Sequence, residues 1–176
     1  VGVSNFGAQQ MRRAATRLAR YDLPLAANQV QYSLLHRQPE ANGVLDACRE
    51  LDVALVAYRP LAGGLLKVPD SPALAQVPST RTSANLMARF VVNRMRRSRP
   101  EQLAALQTML KDVARAHGKT VSQVALNWLL QRDERVIPIP GATSAHHTLE
   151  NAETLTWHLT DEEFAAIDQA SSPWKR

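Results

Sequence analysis

The chain has 176 residues, 45 % hydrophobic and 21 % charged, enough for one domain with a full core. No apolar run approaches the ~20 residues of a membrane span, and Val1-Gly2-Val3-Ser4 opens the chain without a basic and apolar leader. Cys48 is the single cysteine, which excludes an internal disulfide, fits a reducing cytoplasmic setting and reads as a small buried hydrophobe. Part of the net charge of +5 is local, in Arg94, Arg96, Arg97 and Arg99. With no aromatic interleaved to stack on bases, that run reads as a solvated face and not as a nucleic-acid binder; an anionic small molecule also suits the charge.

In chain order, Val1 to Val3 is strand-like and Ser4-Asn5-Phe6-Gly7 is turn chemistry. Met11, Ala14, Ala15, Leu18 and Ala19 make one apolar stripe on a helix from Ala8 to Arg20. Ala26 to Val30 is a second strand, with Asn28 and Gln29 near its carboxyl end, and a loop through Arg37-Gln38-Pro39 follows. A single helix is expected over Glu40 to Leu51, then a third strand over Val53 to Tyr58 that stops at Pro60. Lys67 to Ala84 reads as a long irregular loop and Asn85 to Arg97 as a short helix.

Pro100 starts a helix that runs to His117, before Gly118. Thr120-Val121-Ser122-Gln123 is a capping box for the next helix, to Gln131. Val136, Ile137 and Ile139 suit a buried parallel strand, and Pro140-Gly141 breaks it before a helix from Ala145. Strand, glycine turn and helix N-terminus together offer N–H groups and a positive dipole end to a phosphate, although neither GxGxxG nor a Walker sequence is present. A last amphipathic helix runs from Thr160 to about Ala170, before a polar tail.

Strands each followed by a helix describe parallel βα units, which fit either an open doubly wound sheet or part of a βα barrel. Ser4-Asn5, Gln29, Tyr58 and Pro140-Gly141 all fall at the carboxyl ends of strands, the face on which a barrel assembles its site. Four such strands fall short of the roughly eight that close a barrel. The expectation is half of one, in a fragment, because Val1 already lies inside a strand.

These residues resemble the aldo-keto reductase family. GVSNF at 2–6, NQVQYSLLHR at 28–37, AYRPLAGGLL at 57–66, QVALNWLL at 123–130 and VIPIPGATSAHHTLEN at 136–151 match its segments in order. The resemblance implies the C-terminal half of a TIM (β/α)8 barrel over residues 1–176: parallel strands five to eight with their helices and a C-terminal helical segment, the N-terminal half being absent. The implied activity is NAD(P)H-dependent reduction of an aldehyde or ketone, with NADP(H) expected as cofactor and NAD(H) as the alternative. Ser4, Asn5 and Gln29 would hold the nicotinamide carboxamide, and Tyr58 would stack on the ring. Arg59, Pro60, Leu61 and Gly63 would form the loop around the pyrophosphate, although Arg59 stands where a small hydroxyl residue is frequent and the family's glycine-lysine continuation reads Lys67-Val68-Pro69.

The resemblance further assigns the adenosine end to Gly141, Thr143, His147, Glu150 and Asn151, with His147 where a cation or amide for a 2′-phosphate is common. His146-His147 is not expected to bind a metal, since adjacent helical residues do not face one another. The family's catalytic Asp, Tyr, Lys and His belong to the other half, so no catalytic residue is expected within the chain. The expected partners are a small-molecule carbonyl substrate and the missing half-domain, with no nucleic acid and no membrane. The competing reading is a non-catalytic NADPH-binding regulatory subunit.

Overall fold

The computed structural model describes residues 1–66 and 99–175. The expected loop at 67–84, the expected helix at 85–97 and three of the four clustered arginines lie outside the described residues.

Four parallel strands, β1 (Gly2–Ser4), β2 (Ala27–Gln31), β3 (Ala54–Tyr58) and β4 (Val136–Ile139), form one sheet in the order β1-β2-β3-β4. The order never reverses, so the sheet lacks the switch point of a doubly wound fold and steps round in one direction, as a βα barrel does. The helices are α1 (Ala8–Leu18), α2 (Gln38–Ala41), α3 (Val44–Leu51), α4 (Pro100–Ala116), α5 (Val121–Arg132), α6 (Ala145–Glu153) and α7 (Asp161–Ser171).

Register sorts the strand residues into two faces. Asn28, Leu55 and Val136 share a rank with Val3 and are buried under the helices, as are Val30 and Ala57. The opposite face carries Ser4, Gln29, Val56 and Ile137 in one rank and Gln31, Tyr58 and Ile139 in the next. Contrary to the expectation of a buried strand, Ile137 is 49 % and Ile139 42 % exposed on this face. Alternation decides the matter: among the described residues β4 borders β3 alone, and every second residue turns away from the helical layer.

Beneath the helices, Met11, Leu45, Leu55, Leu106, Leu110, Trp128 and Leu129 form one continuous core. Each large apolar side chain buried there contributes roughly 1.5–3 kcal/mol. The helix expected over 40–51 is two, because Gly43 takes a left-handed φ of 78° and breaks the run between α2 and α3. The tail expected after Ala170 is not free: Ser172–Trp174 forms a 3₁₀ turn, and the Trp174 carbonyl accepts from the Arg37 amide at 3.0 Å.

That contact belongs to a buried ionic knot. Arg37, with a side chain 0 % exposed, pairs through both forks with Glu40 at 2.7 Å and also reaches Asp168 Oδ1 at 2.7 Å. It further donates to the Asp168 carbonyl and Ser171 Oγ, and its guanidinium lies 4.8 Å from the Trp128 ring centroid. Burial alone would raise the Glu40 carboxyl, yet Arg37, Tyr32 and Arg132 hold it below the usual range. The knot fastens the segment after β2 to α7.

Candidate functional site at the carboxyl ends of the strands

Asn5 leaves β1 in the left-handed region, with φ 58°, a conformation asparagine tolerates better than most residues. Its turn is clamped from below by Asn28, whose Oδ1 accepts from the Phe6 amide at 3.3 Å and whose Nδ2 donates to the Phe6 carbonyl at 2.9 Å. A fully buried amide is stable there only because both its ends are paired. Sequence reasoning gave Asn28 no role; its signal was a polar residue on the inward rank of an apolar strand.

The turn so fixed gathers one group of expected site residues. Ser4 Oγ donates to the Gln29 carbonyl at 3.1 Å, and the Asn5 amide donates to the same oxygen at 2.9 Å. Asn5 Nδ2 donates to Ser4 Oγ at 3.2 Å, while Asn5 Oδ1 accepts from the Tyr58 hydroxyl at 3.2 Å. Ser4, Asn5 and Gln29 are exposed and Tyr58 half-buried, so the cluster opens outward.

After Tyr58 the backbone turns sharply. Arg59, Ala62, Gly63 and Gly64 all have positive φ, two of them without being glycine, which marks a stored strain of the kind found at ligand-binding loops. Arg59 and Gly63 are exposed, Pro60 is buried and Leu61 partly so. Of the expected pyrophosphate loop, two members therefore face solvent and two anchor it.

The second group surrounds the start of α6. Ser144 caps the helix by accepting from the His147 amide at 3.2 Å, and Thr143 Oγ1 lies 3.2 Å from His147 Nδ1. A Cβ at Gly141 would meet nothing within 4 Å, so no packing demand of the protein itself calls for a glycine there. Glu150 is already engaged: its Oε1 accepts from the Thr120 hydroxyl at 2.6 Å, and its carbonyl accepts from Gln123 Nε2 at 2.9 Å. Asn151 is half-buried beside it. The capping box Thr120/Gln123 thus does two jobs, closing the first turn of α5 and seating α6, a role sequence reasoning missed. No hydrogen bond among the described residues joins this group to the Asn5–Tyr58 group.

Beside Asn5 and Tyr58 lies an open cavity of about 370 Å³, bordered by Gln31 and by the segment from His36 to Asn42. Burial lowers the His36 imidazole pKa, which keeps the ring neutral near pH 7. No group of three His, Cys, Asp or Glu side chains among the described residues is placed to hold a metal, and no described helix is long and apolar enough to cross a membrane.

A parallel βα sheet with its polar residues gathered at the carboxyl ends of the strands defines the class of α/β proteins that bind ligands on that rim. The family model described as "Aldo/keto reductase family" matches residues 1–172, and the chain belongs to that family. It is 33 % identical to a chloroplastic pyridoxal reductase of Arabidopsis thaliana, over 97 % of this chain and 43 % of the relative. It is 31 % identical to an L-glyceraldehyde 3-phosphate reductase of Escherichia coli O157:H7, over 96 % of this chain and 48 % of the relative. A crystal structure of a thermostable aldo-keto reductase with the inhibitor epalrestat superposes with a TM-score of 0.65 at 26 % identity, covering 96 % of this chain and 47 % of that one. The chain spans about half the length of the curated relatives it matches.

Proposed function

We propose that this chain supplies the cofactor-holding half of an NAD(P)H-dependent reductase of aldehydes or ketones, as strands five to eight of a (β/α)8 barrel. The observation that carries the reading is the bonded cluster Ser4–Asn5–Gln29–Tyr58, drawn from three consecutive strands and left open to solvent. A carboxamide presents a donor and an acceptor together, and the Asn5 and Gln29 side chains can meet both. The half-buried Tyr58 ring, tethered through its hydroxyl, offers a flat face for a nicotinamide.

Two further observations support NADP(H). The open space in front of Gly141 admits a ligand where a side chain would stand. The N-terminus of α6, with Thr143 and His147 paired beside it, suits the 2′-phosphate. When bound, the cofactor supplies a hydride to the carbonyl carbon. The chain's residues bind and orient it; the proton donor is assigned to the other half of the barrel, so residues 1–176 alone are expected to be inactive. The exposed sheet face with Ile137 and Ile139 suits a barrel interior that this other half completes.

The test is NADPH binding, read by nicotinamide fluorescence in the intact protein. Gln29→Ala with Tyr58→Ala should weaken binding by roughly a hundredfold, at about 1 kcal/mol per hydrogen bond and 1–3 kcal/mol for the aromatic face. Unchanged affinity would refute the cradle. Tight binding without turnover of any aldehyde would instead favour the regulatory subunit.

A further inference from the structure

The ionic knot around Arg37 reaches the rim as well as α7. One step beyond β2, the Tyr32 amide donates to the Tyr58 carbonyl at 3.3 Å. That bond fixes the backbone of Tyr58 immediately before Arg59, where φ turns to 51°. A backbone held there governs where the Tyr58 ring projects, since the rotamers open to a side chain depend on the backbone that carries it.

Tyr32 is itself held at its far end. Its side chain is fully buried, its ring meets Trp128 edge-on with centroids 6.0 Å apart, and its hydroxyl donates to Glu40 Oε1 at 2.9 Å. Burial and the Glu40 charge push the phenol pKa up, so the hydroxyl remains the donor. Glu40 in turn is gripped by Arg37 through both carboxylate oxygens and by Arg132 at 2.7 Å.

The remaining partners in the knot come from the last part of the chain. Asp168 Oδ1 accepts from Arg37 at 2.7 Å, the Asp168 carbonyl at 2.6 Å and Ser171 Oγ at 2.8 Å. The Trp174 carbonyl accepts from the Arg37 amide, and Lys175 Nζ stands 3.3 Å from Glu40. Parting Arg37 from Glu40 would leave a buried charge unpaired, which is strongly destabilising. A displacement at α7 therefore moves the pair together and is passed on to Tyr32.

We propose that Tyr32 is a positioning residue: it relays the arrangement of the C-terminal segment 168–175 to Tyr58, and so sets the ring that faces the nicotinamide. The link to a nicotinamide rests on the reductase reading above; the relay from α7 to Tyr58 does not.

The intact protein has three tyrosines, so isotope labelling of tyrosine gives a simple ring NMR spectrum that Tyr58→Phe and Tyr32→Phe assign. Tyr21, 75 % exposed in the 3₁₀ turn after α1, is the internal reference. Tyr32→Phe removes the bond to Glu40 and keeps the buried ring; Asp168→Asn removes a charge at the α7 end of the relay and keeps its shape. Under native conditions both variants should move the Tyr58 signal and leave Tyr21 in place. A knot that only stabilises the fold would lower the denaturant midpoint and leave Tyr58 where it is. A Tyr58 signal unmoved in either variant, or an equal movement of Tyr21, overturns the proposal. NADPH titration of the same variants should show affinity reduced roughly threefold to tenfold. Unchanged affinity overturns the bearing of the relay on the cofactor. If the wild type binds no NADPH while the Tyr58 signal moves, the reductase reading falls and the relay from α7 to Tyr58 stands.

Discussion

The Tyr58 hydroxyl and Asn5 Oδ1 are 3.2 Å apart across 53 positions of sequence. Strand order explains the meeting. Each strand is laid beside its predecessor, so residues at successive carboxyl ends converge on one rim. The bond also orients a ring and a carboxamide at once. Tyr58→Phe removes only the bond and should weaken NADPH binding about fivefold, at roughly 1 kcal/mol. Tyr58→Ala also removes the ring face and should weaken it tenfold more. Equal effects of the two variants in a fluorescence titration would show that the ring contributes nothing.

Arg37 is the most heavily bonded side chain of the described structure that sequence reasoning passed over. Its removal leaves the Glu40 carboxylate, 2 % exposed, with a weakened set of partners in Arg132 and Lys175. Arg37→Met should therefore cost about 3–5 kcal/mol of stability, read as a lower denaturant midpoint at pH 7. A loss below about 1 kcal/mol would mean that the remaining cations neutralise Glu40 unaided.

The acid limb of stability follows from the same kind of pairing. Burial would raise Glu163, Glu40 and Asp133, but Thr160 and His117, Arg37, and Arg135 with Arg49 respectively hold all three below their ordinary values. Groups depressed in the folded state bind protons more readily when unfolded. Their contribution is complete above the unfolded values of about 4.3 for Glu and 3.9 for Asp, and is lost as pH falls through the lower folded values. The thermal midpoint should stay level from about pH 8 to 5 with respect to these groups and drop below about pH 4.5. Glu163→Gln should flatten that acid limb, as differential scanning calorimetry across the pH series would reveal.

Much of this architecture was legible in the chain because its signals are local. β4, the α6 start and the capping box before α5 stand where the sequence put them, since a proline-glycine break and a Thr-x-x-Gln pair act over a few residues. The positions of Ser4, Asn5 and Tyr58 at the carboxyl ends of their strands were also legible, whereas Gln29, expected at the end of its strand, lies in the middle of β2, which runs on to Gln31. What escaped was non-local. The split at Gly43 turns on one left-handed φ. Arg37 looked like a loop cation because Asp168 and Ser171, its distant partners, lie 131 and 134 positions away. The exposure of Ile137 and Ile139 depends on which face the helices cover, which a short apolar run cannot reveal.

Cys48 offers an internal gauge of cooperativity. It is fully buried, and its thiol is pushed up to about 11, chiefly by burial and also by the Asp133 charge. The thiolate that reacts with alkylating reagents is therefore both rare and inaccessible in the folded chain. Iodoacetamide labelling near pH 8 should be roughly a thousandfold or more slower than in the denatured chain, and its denaturant dependence should track global unfolding. Rapid labelling of the native protein would show that α3 opens locally.

In the proposed cradle, His147 is the residue placed to bear on the choice between the two nicotinamide cofactors. It stands in the first turn of α6, its Nδ1 3.2 Å from Thr143 Oγ1, with the helix N-terminus beside it. An imidazole lacks the planar two-donor fork that matches a phosphate, so the helix dipole and Thr143 carry more of the preference in the proposed cradle. His147→Arg replaces it with a planar cation able to donate two bonds to the phosphate, worth roughly 1.5–3 kcal/mol for a charged pair. The affinity for NADPH should rise at least tenfold while that for NADH, which lacks the phosphate, stays within about twofold. If His147→Arg raises both affinities alike, or neither, the adenosine end lies elsewhere and the assignment of Thr143 and His147 falls with it.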